Sequence, residues 1–494
     1  MVSVGLVAIT LGFLRYTTGT FASVSDVASS ASATCEKLSN QLGAVIKLRS
    51  DAQYIALSDE NWSQTAWKQP SCIALPASTS DLSHLITTLV GNNVPFAIRS
   101  GGHSPNPFDS NIDTGVLISM DKFNTVTYDA VHSLASFGPG ARWDAVYTAL
   151  DPYNVSLVGG RVMDVGVGGL TLGSGLSYLS DLYGLVCDNV VAYEVVLANG
   201  KTVEATSNQN SDLFWALKGG SNNFGILTKV TSKTYPIFQV WGSIRTYAKA
   251  QMADVMQALY EYQTTPNKDL YANMVLNLAP INDSVLLTLV YLKPVADPPA
   301  YAAFYKIPSV TEFSALMTLH QLQNAFPTPS IPRWAWYTVT FEPNSALYSQ
   351  ISELYSTAPE IAIISALTAG TLVGTVQPIN ANVARAGQER GGNTLGLQAV
   401  NQTWFALNAA WWNPADDATT YAALASLHSK VEDLAKAAKV QLQYLFMNDA
   451  NSNQSVIASY GPENGHRLRA IQKVYDPHLV FQKLVPGGQK IPTW

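Results

Sequence analysis

Between about residues 67 and 237 the chain alternates short apolar runs with Gly, Pro and Asn turns, the pattern of buried strands joined by tight connections. Residues 94–98, Val-Pro-Phe-Ala-Ile, read as one such strand. Asn199-Gly200, set between Val195-Val196-Leu197 and Thr202-Val203, predicts a hairpin. Upstream, Cys35, Leu38, Leu42 and Val45 recur at helical spacing and predict a helical lead-in over 23–66. Pro236 marks an exit from the first region. Beyond it, over 238–440, the chain mixes alternating strands such as Ser284–Tyr291 with amphipathic helices over 250–262 and 421–437. The fold class is α+β.

Chemistry enters at Arg99-Ser100-Gly101-Gly102-His103-Ser104, just after the first predicted strand. Two adjacent glycines let the backbone approach a ligand closely. Arg99 carries a donor fork suited to phosphate, and His103 places an imidazole beside it. Taken alone, the segment is also compatible with an ordinary loop. Further on, 159–175 holds seven glycines in seventeen residues, a density that leaves backbone N–H groups to face an anion such as a dinucleotide pyrophosphate. The stretch is no Rossmann fingerprint. In Gly166-Val167-Gly168-Gly169-Leu170-Thr171 a threonine occupies the place of the last glycine.

These segments, with 137–143 (Phe-Gly-Pro-Gly-Ala-Arg-Trp), 187–191, 212–220 and 222–226, resemble the FAD-linked oxidases of the vanillyl-alcohol oxidase / para-cresol methylhydroxylase (PCMH) type. Within that superfamily the chain is most similar to the berberine-bridge-enzyme-like branch and its fungal secreted members. Ser459-Tyr460-Gly461, Arg467-Leu468, Tyr475-Asp476-Pro477 and Phe481 extend the likeness to the C-terminus. The resemblance implies a two-part PCMH-type FAD-binding domain over 67–237. A substrate domain with an antiparallel sheet covered by helices follows over 238–440, and 441–494 returns to the FAD domain.

It also implies roles. The histidine at the His103 position is bonded through a ring nitrogen to the flavin 8-methyl group. The cysteine that gives many relatives a second link is Val162 here, so a single covalent attachment is expected. Val165 aligns with a position that gates oxygen, where valine accompanies oxidase behaviour. Arg99, Ser100, Gly101, Gly102 and Ser104 are expected to cradle the pyrophosphate. Gly166, Gly169, Gly173, Ser174 and Gly175 are expected to contact the flavin or diphosphate, and Asn189, Val191 and Ile226 to line the adenine or ribose side. For Arg161 a site role and a solvated surface role both stand.

A catalytic base is less visible. Relatives carry Tyr-x-Asn-Tyr; here Tyr444 is retained, while Phe446 and Met447 replace the Asn-Tyr pair and supply no proton acceptor. Tyr444 and Asp449 are the candidates, against a core tyrosine and an aspartate capping 451–454. Trp334, Trp336, Tyr337, Trp404, Phe405, Trp411 and Trp412 line a bulky apolar substrate site or fill the core.

The expected activity is hydride transfer from an organic, low-polarity secondary metabolite to FAD and on to O2, releasing H2O2. Carbohydrate oxidation and a non-redox cyclisation or isomerisation are the alternatives. Composition narrows the setting. The 494 residues are 47% hydrophobic and 13% charged, with net charge -6 and no basic run, which argues against nucleic acid or an acidic membrane surface. Residues 4–14 form an apolar stretch too short to span a bilayer. With Thr20-Phe21-Ala22 they read as a secretory signal over 1–22, and five Asn-x-Ser/Thr sequons, at Asn61, Asn154, Asn282, Asn401 and Asn453, accord with that route. Cys35 and Cys72 are candidates to pair in an oxidising compartment, and Cys187 is expected to be a buried free thiol. The cysteine and histidine spacings predict no metal.

Overall fold

Three sheets organise the chain, seen in a computed structural model that describes residues 24–325 and 329–493. The expected signal segment lies outside the described residues. In the first sheet the strands run in the order Ile46–Leu48, Cys72–Ala74, Val116–Ser119, Phe96–Arg99. The last three are parallel and the first is antiparallel to its neighbour. Val116–Ser119 is buried at every position, as a parallel strand covered on both faces must be. The lead-in therefore supplies a strand as well as the helix Val24–Leu42. Ala31, Cys35 and Leu38 of that helix pack with Leu82, Leu85, Ile86 and Leu89 of the helix Thr79–Gly91. Ser78 caps the latter by accepting the Asp81 N–H at 3.1 Å. A Cys35–Cys72 disulfide fastens the lead-in helix to the second strand, and Cys187 is a buried free thiol.

The second sheet is antiparallel around the long strand Ile226–Tyr235, flanked by Leu134–Phe137 and Val190–Val196. Val190–Val196 turns into Thr202–Thr206 through the expected hairpin, with Gly200 at φ +79°.

The third sheet is seven-stranded and wholly antiparallel: Thr311–Thr318, Gln239–Ala248, Ser284–Tyr291, Ala272–Ala279, Thr371–Ile379, Gln402–Trp411, Arg333–Phe341. Strand alternation sorts its side chains. Phe405, Leu407, Ala409 and Trp411 enter a core with Val255 and Leu259 of Met252–Thr264, Ile351 of Ser345–Thr357 and Leu427 of Asp417–Ala437. Trp404 points the other way, into a core with Tyr444, Phe446 and residues of the second sheet. The sheet thus wears helices on one face and turns its other face toward the second sheet.

The C-terminal segment ties the units together. Asp476 accepts the backbone N–H groups of Val480 and Phe481 at 2.8 and 2.9 Å, and Phe481 packs edge-on against Phe96 of the first sheet. A second tie is ionic. His320, on the helix Leu319–Asn324, reaches Asp151 Oδ2 at 2.6 Å through Nδ1 and Asp144 Oδ1 at 2.9 Å through Nε2. Burial opposes charge on this ring, but the two carboxylates outweigh it and raise its pKa. A raised histidine pKa contributes stability below its unfolded value near 6.5 that is lost as pH rises through the folded value. His320→Gln should therefore destabilise the protein by roughly 1 kcal/mol at pH 5 and by much less at pH 9. Denaturant titrations at the two pH values check this.

Candidate functional site

The two glycine stretches singled out in the sequence meet backbone to backbone. A Cβ placed on Gly101 would lie 2.5 Å from Gly166 N, and one on Gly166 would lie 2.5 Å from Gly101 Cα. No side chain fits at either position. Ser100 locks the contact: its hydroxyl donates to the Pro139 carbonyl and accepts the Gly168 N–H at 3.1 Å. Gly168 and Gly169 lie in the short helix Val167–Leu172. Gly169 differs from its neighbours in being exposed, with nothing within 4 Å of the place a Cβ would take. Ser174 holds a left-handed φ of +76° and is buried, and a side chain at Gly175 would collide with Leu170 and Val186.

Several expected ligands use their polar groups elsewhere. Arg99 is buried, donating to the Leu57 carbonyl at 2.7 Å and pairing with Glu60 at 2.5 Å. Its fork braces the loop against Leu57 and Glu60. Ser104 donates to Asp109 at 2.7 Å. The Asn189 amide donates to the carbonyls of Tyr183 and Leu185 and accepts the Tyr235 hydroxyl at 2.6 Å. Ile226 is buried in the core of the first sheet, and Val191 is half-buried. These pairings share a cause: a buried polar group must be paired, and here the nearest partners are the protein's own.

His103 stands at the edge of the glycine contact. Its ring stacks on Trp62, centroids 4.3 Å apart and planes 7° apart, and Trp62 packs in turn on Trp334 and Trp336. Nε2 is buried without a hydrogen-bond partner among the described residues, and Asp164 Oδ1 lies 3.6 Å from it. Val162 is exposed beside this region, and Val165 is half-buried against the core with its carbonyl accepting the Trp143 N–H at 3.1 Å.

Farther along the glycine loop, Asn448 donates to the Leu170 carbonyl at 3.2 Å and sits against Gly173. The next residue is Asp449, whose Oδ2 accepts Gln377 Nε2 at 2.7 Å, while Arg161 donates to Gln377 Oε1. Arg161 is thus joined to Asp449 through Gln377. Burial raises the Asp449 pKa, against the lowering effects of Arg161 and of the Gln377 hydrogen bond. Asp449 does not cap 451–454; the Asn451 side chain does, accepting the Asn453 N–H. Tyr444 is a core residue, packed between Trp404 and Tyr460, and burial pushes its phenol well above the ordinary range. Phe446 stacks on Trp404, and Trp404 and Trp411 are wholly buried. Of the aromatic candidates, only Trp334 and Trp336 approach His103 through Trp62.

The face of the large sheet opposite its helices adds a polar stripe. Asn408 donates to Thr375 Oγ1 at 3.0 Å, and Thr375 donates to Asn277 Oδ1 at 2.8 Å, all three half-buried. Trp336 lies opposite Asn408 in the strand register. Sequence reasoning missed Trp62, Asp164, Gln377, Asn448 and this stripe. For the strand residues a signal existed, since Thr375, Gln377 and Asn408 interrupt apolar strands at alternate positions. Trp62 and Asp164 carried none, because only the fold brings them to His103.

The donor set fits a flavin dinucleotide: an open backbone at Gly169, glycine packing that tolerates no Cβ, and an imidazole whose Nε2 makes no hydrogen bond. A family model described as an FAD binding domain matches residues 70–206. An FAD-dependent monooxygenase from Arthrobotrys oligospora is 38% identical, over 92% of this chain and 89% of its own. The bifunctional solanapyrone synthase of Alternaria solani is 34% identical, over 92% and 87%. This chain belongs to the FAD-dependent oxidoreductases of the vanillyl-alcohol oxidase / PCMH superfamily. The fold agrees. The xylooligosaccharide oxidase of Myceliophthora thermophila superposes with a TM-score of 0.77 at 19% identity, over 93% of this chain and 99% of that one. The glucooligosaccharide oxidase of Acremonium strictum gives 0.77 at 17%, over 93% and 100%. Among the described residues there is no cluster of three or more metal-ligating side chains and no helix long and apolar enough to cross a membrane.

Two glycine variants separate packing from cofactor contact. Gly166→Ala should part the two loops and destabilise the protein by about 3 kcal/mol, as read from denaturant unfolding. Gly169→Ala should leave the thermal stability of the flavin-free protein unchanged and lower its FAD occupancy, read from the ratio of flavin to protein absorbance.

Proposed function

We propose that this chain is an FAD-dependent oxidase that takes hydride from a low-polarity secondary metabolite and passes the electrons to O2, with FAD bonded through His103 alone. The observation that carries the reading is the Asp449–Gln377–Arg161 chain beside the glycine loop. FAD, when bound, supplies the hydride acceptor. Asp449 accepts the proton that leaves the substrate, and the raised pKa makes its carboxylate a stronger base than an exposed aspartate. Gln377 holds the carboxylate in place, and the Arg161 cation opposes the effect of burial on it. Trp336 and Trp62 offer an apolar wall, while Asn277, Thr375 and Asn408 offer hydrogen bonds to a carbonyl or hydroxyl group.

A screen of phenolic and polyketide alcohols against oligosaccharides, read as anaerobic bleaching of the flavin, tests the activity and separates the substrate classes. No bleaching by any compound that is nonetheless converted would favour cyclisation or isomerisation. Relatives are named monooxygenases; for the oxidase proposed here, product mass under labelled O2 should show no oxygen incorporation, with H2O2 formed instead. Asp449→Asn should lower kcat by about 10²–10⁴-fold, and Tyr444→Phe should change it little. The wild-type rate should fall toward acid with a midpoint above 3.8, the ordinary aspartate value.

A secretory route is part of the proposal, supported by the Cys35–Cys72 disulfide. The Asn61 and Asn401 side chains are engaged inside the fold, while Asn154 and Asn282 are exposed. Secreted protein should carry glycans at Asn154 and Asn282 and none at Asn61 or Asn401, as read by peptide mass mapping.

A further inference from the structure

We propose that Asn106 is a positioning residue for the reaction: it fixes where the Asp449 carboxylate stands relative to the loop that carries His103. The inference rests on the reading of Asp449 as the base and adds what holds that base in register. Asn106 lies three residues beyond His103, in Ser104-Pro105-Asn106-Pro107. Proline fixes its own φ and restricts the residue before it, so the two prolines stiffen the backbone on both sides of the asparagine. Asn106 is 7% exposed, and its amide is used at both ends. Nδ2 donates to the Ala450 carbonyl at 3.0 Å and to Asp109 Oδ2 at 3.1 Å, and Oδ1 accepts the Ser452 N–H at 3.1 Å. Ala450 is the residue after Asp449, so one side chain joins two loops that lie 344 positions apart in sequence.

Asp109 sets the direction of that amide. Its Oδ2 accepts the Ser104 hydroxyl at 2.7 Å as well as Asn106 Nδ2, and its Oδ1 accepts the Gly488 N–H at 3.0 Å. The segment 447–454 has separate ties to the seven-stranded sheet. Asn451 Nδ2 donates to the Trp336 carbonyl at 2.9 Å, and Gln454 Oε1 accepts the Thr338 N–H at 3.0 Å. Those ties and the Gln377 bond hold Asp449 to the sheet, while Asn106 and Asn448 hold it to the His103 and glycine loops. Position 106 must therefore offer a donor and an acceptor on one short planar group, because the buried Ala450 carbonyl and the Ser452 N–H both need a partner. Aspartate has the same shape, but it would turn an acceptor toward the Ala450 carbonyl and a second carboxylate toward Asp109. Losing this tie leaves the segment attached to the sheet, so the fold survives while the spacing between Asp449 and the His103 loop is lost. A misplacement of about 1 Å can cost about 100-fold in rate.

Asn106→Asp, Asn106→Leu and Asn106→Gln are compared with wild type and with Asp449→Asn. The substrate is the phenolic alcohol that bleaches the flavin fastest in the screen above, and rates are taken per bound flavin. Asn106→Asp and Asn106→Leu should lower kcat by about 10–100-fold and move KM by less than about threefold. Asn106→Gln, which keeps both donor and acceptor, should recover part of the rate. In the Asp449→Asn background, Asn106→Leu should lower kcat by no more than about twofold, because a residue acting through Asp449 has nothing left to position. Full additivity of the two substitutions, or wild-type rates in the Asn106 single variants, would overturn the proposal while leaving the base reading intact. A wild-type rate in Asp449→Asn would instead remove the base reading, and this inference with it. Hydrogen exchange needs no substrate: Asn106→Leu holoprotein should exchange about tenfold faster than wild type over 447–454, with Arg333–Phe341 unchanged. Unchanged exchange over 447–454, or faster exchange throughout the chain, would overturn the proposal.

Discussion

The contact between Gly101 and Gly166 is the constraint on which the site depends. Two loops from separate parts of the chain approach until neither can carry a Cβ. That approach sets where His103 stands, brings Asp164 to its edge, and leaves the backbone at Gly169 open. Ser100 and Arg99 serve the same contact from inside. One bridges the loops through Pro139 and Gly168, and the other braces the turn against Glu60 and Leu57. A loop cradle built this way is made of main chain, with polar side chains as its scaffold.

Against this cradle stands the seven-stranded sheet. Strand alternation divides its residues between a helix-covered core and the face toward the cradle. Trp404 and Phe405, adjacent in sequence, enter different cores. The same rule places Trp336, Thr375, Gln377 and Asn408 on one face, although they come from three separate strands. Asp449 and Asn448 join the two walls, one held by the sheet and the other by the glycine loop. A carboxyl at such a junction is shielded from water on several sides, and that shielding raises its pKa.

Much of the architecture was legible along the chain. The hairpin at Asn199-Gly200, the strand Ser284–Tyr291 and the helices in the second half follow from local periodicity and turn chemistry, and each forms where that pattern lies. The strand Ile46–Leu48 was hidden in the lead-in because three residues carry no period, and only pairing with Cys72–Ala74 defines them. The glycine stretches were visible as composition, while the reason for the glycines, their mutual contact, was not.

Residue type and order by themselves determined the family, the two glycine segments, the candidate imidazole of His103 and the lack of a thiol at Val162. The tertiary structure decided the direction of every polar group. Arg99, Ser104 and Asn189 have the chemistry to bind a ligand, but buried donors and acceptors take the partners that packing puts nearest. Asp449 and Tyr444 looked alike as candidates from the sequence. One meets a glutamine across the sheet and the other lies among aromatic rings, and that difference in surroundings separates a candidate base from a core residue.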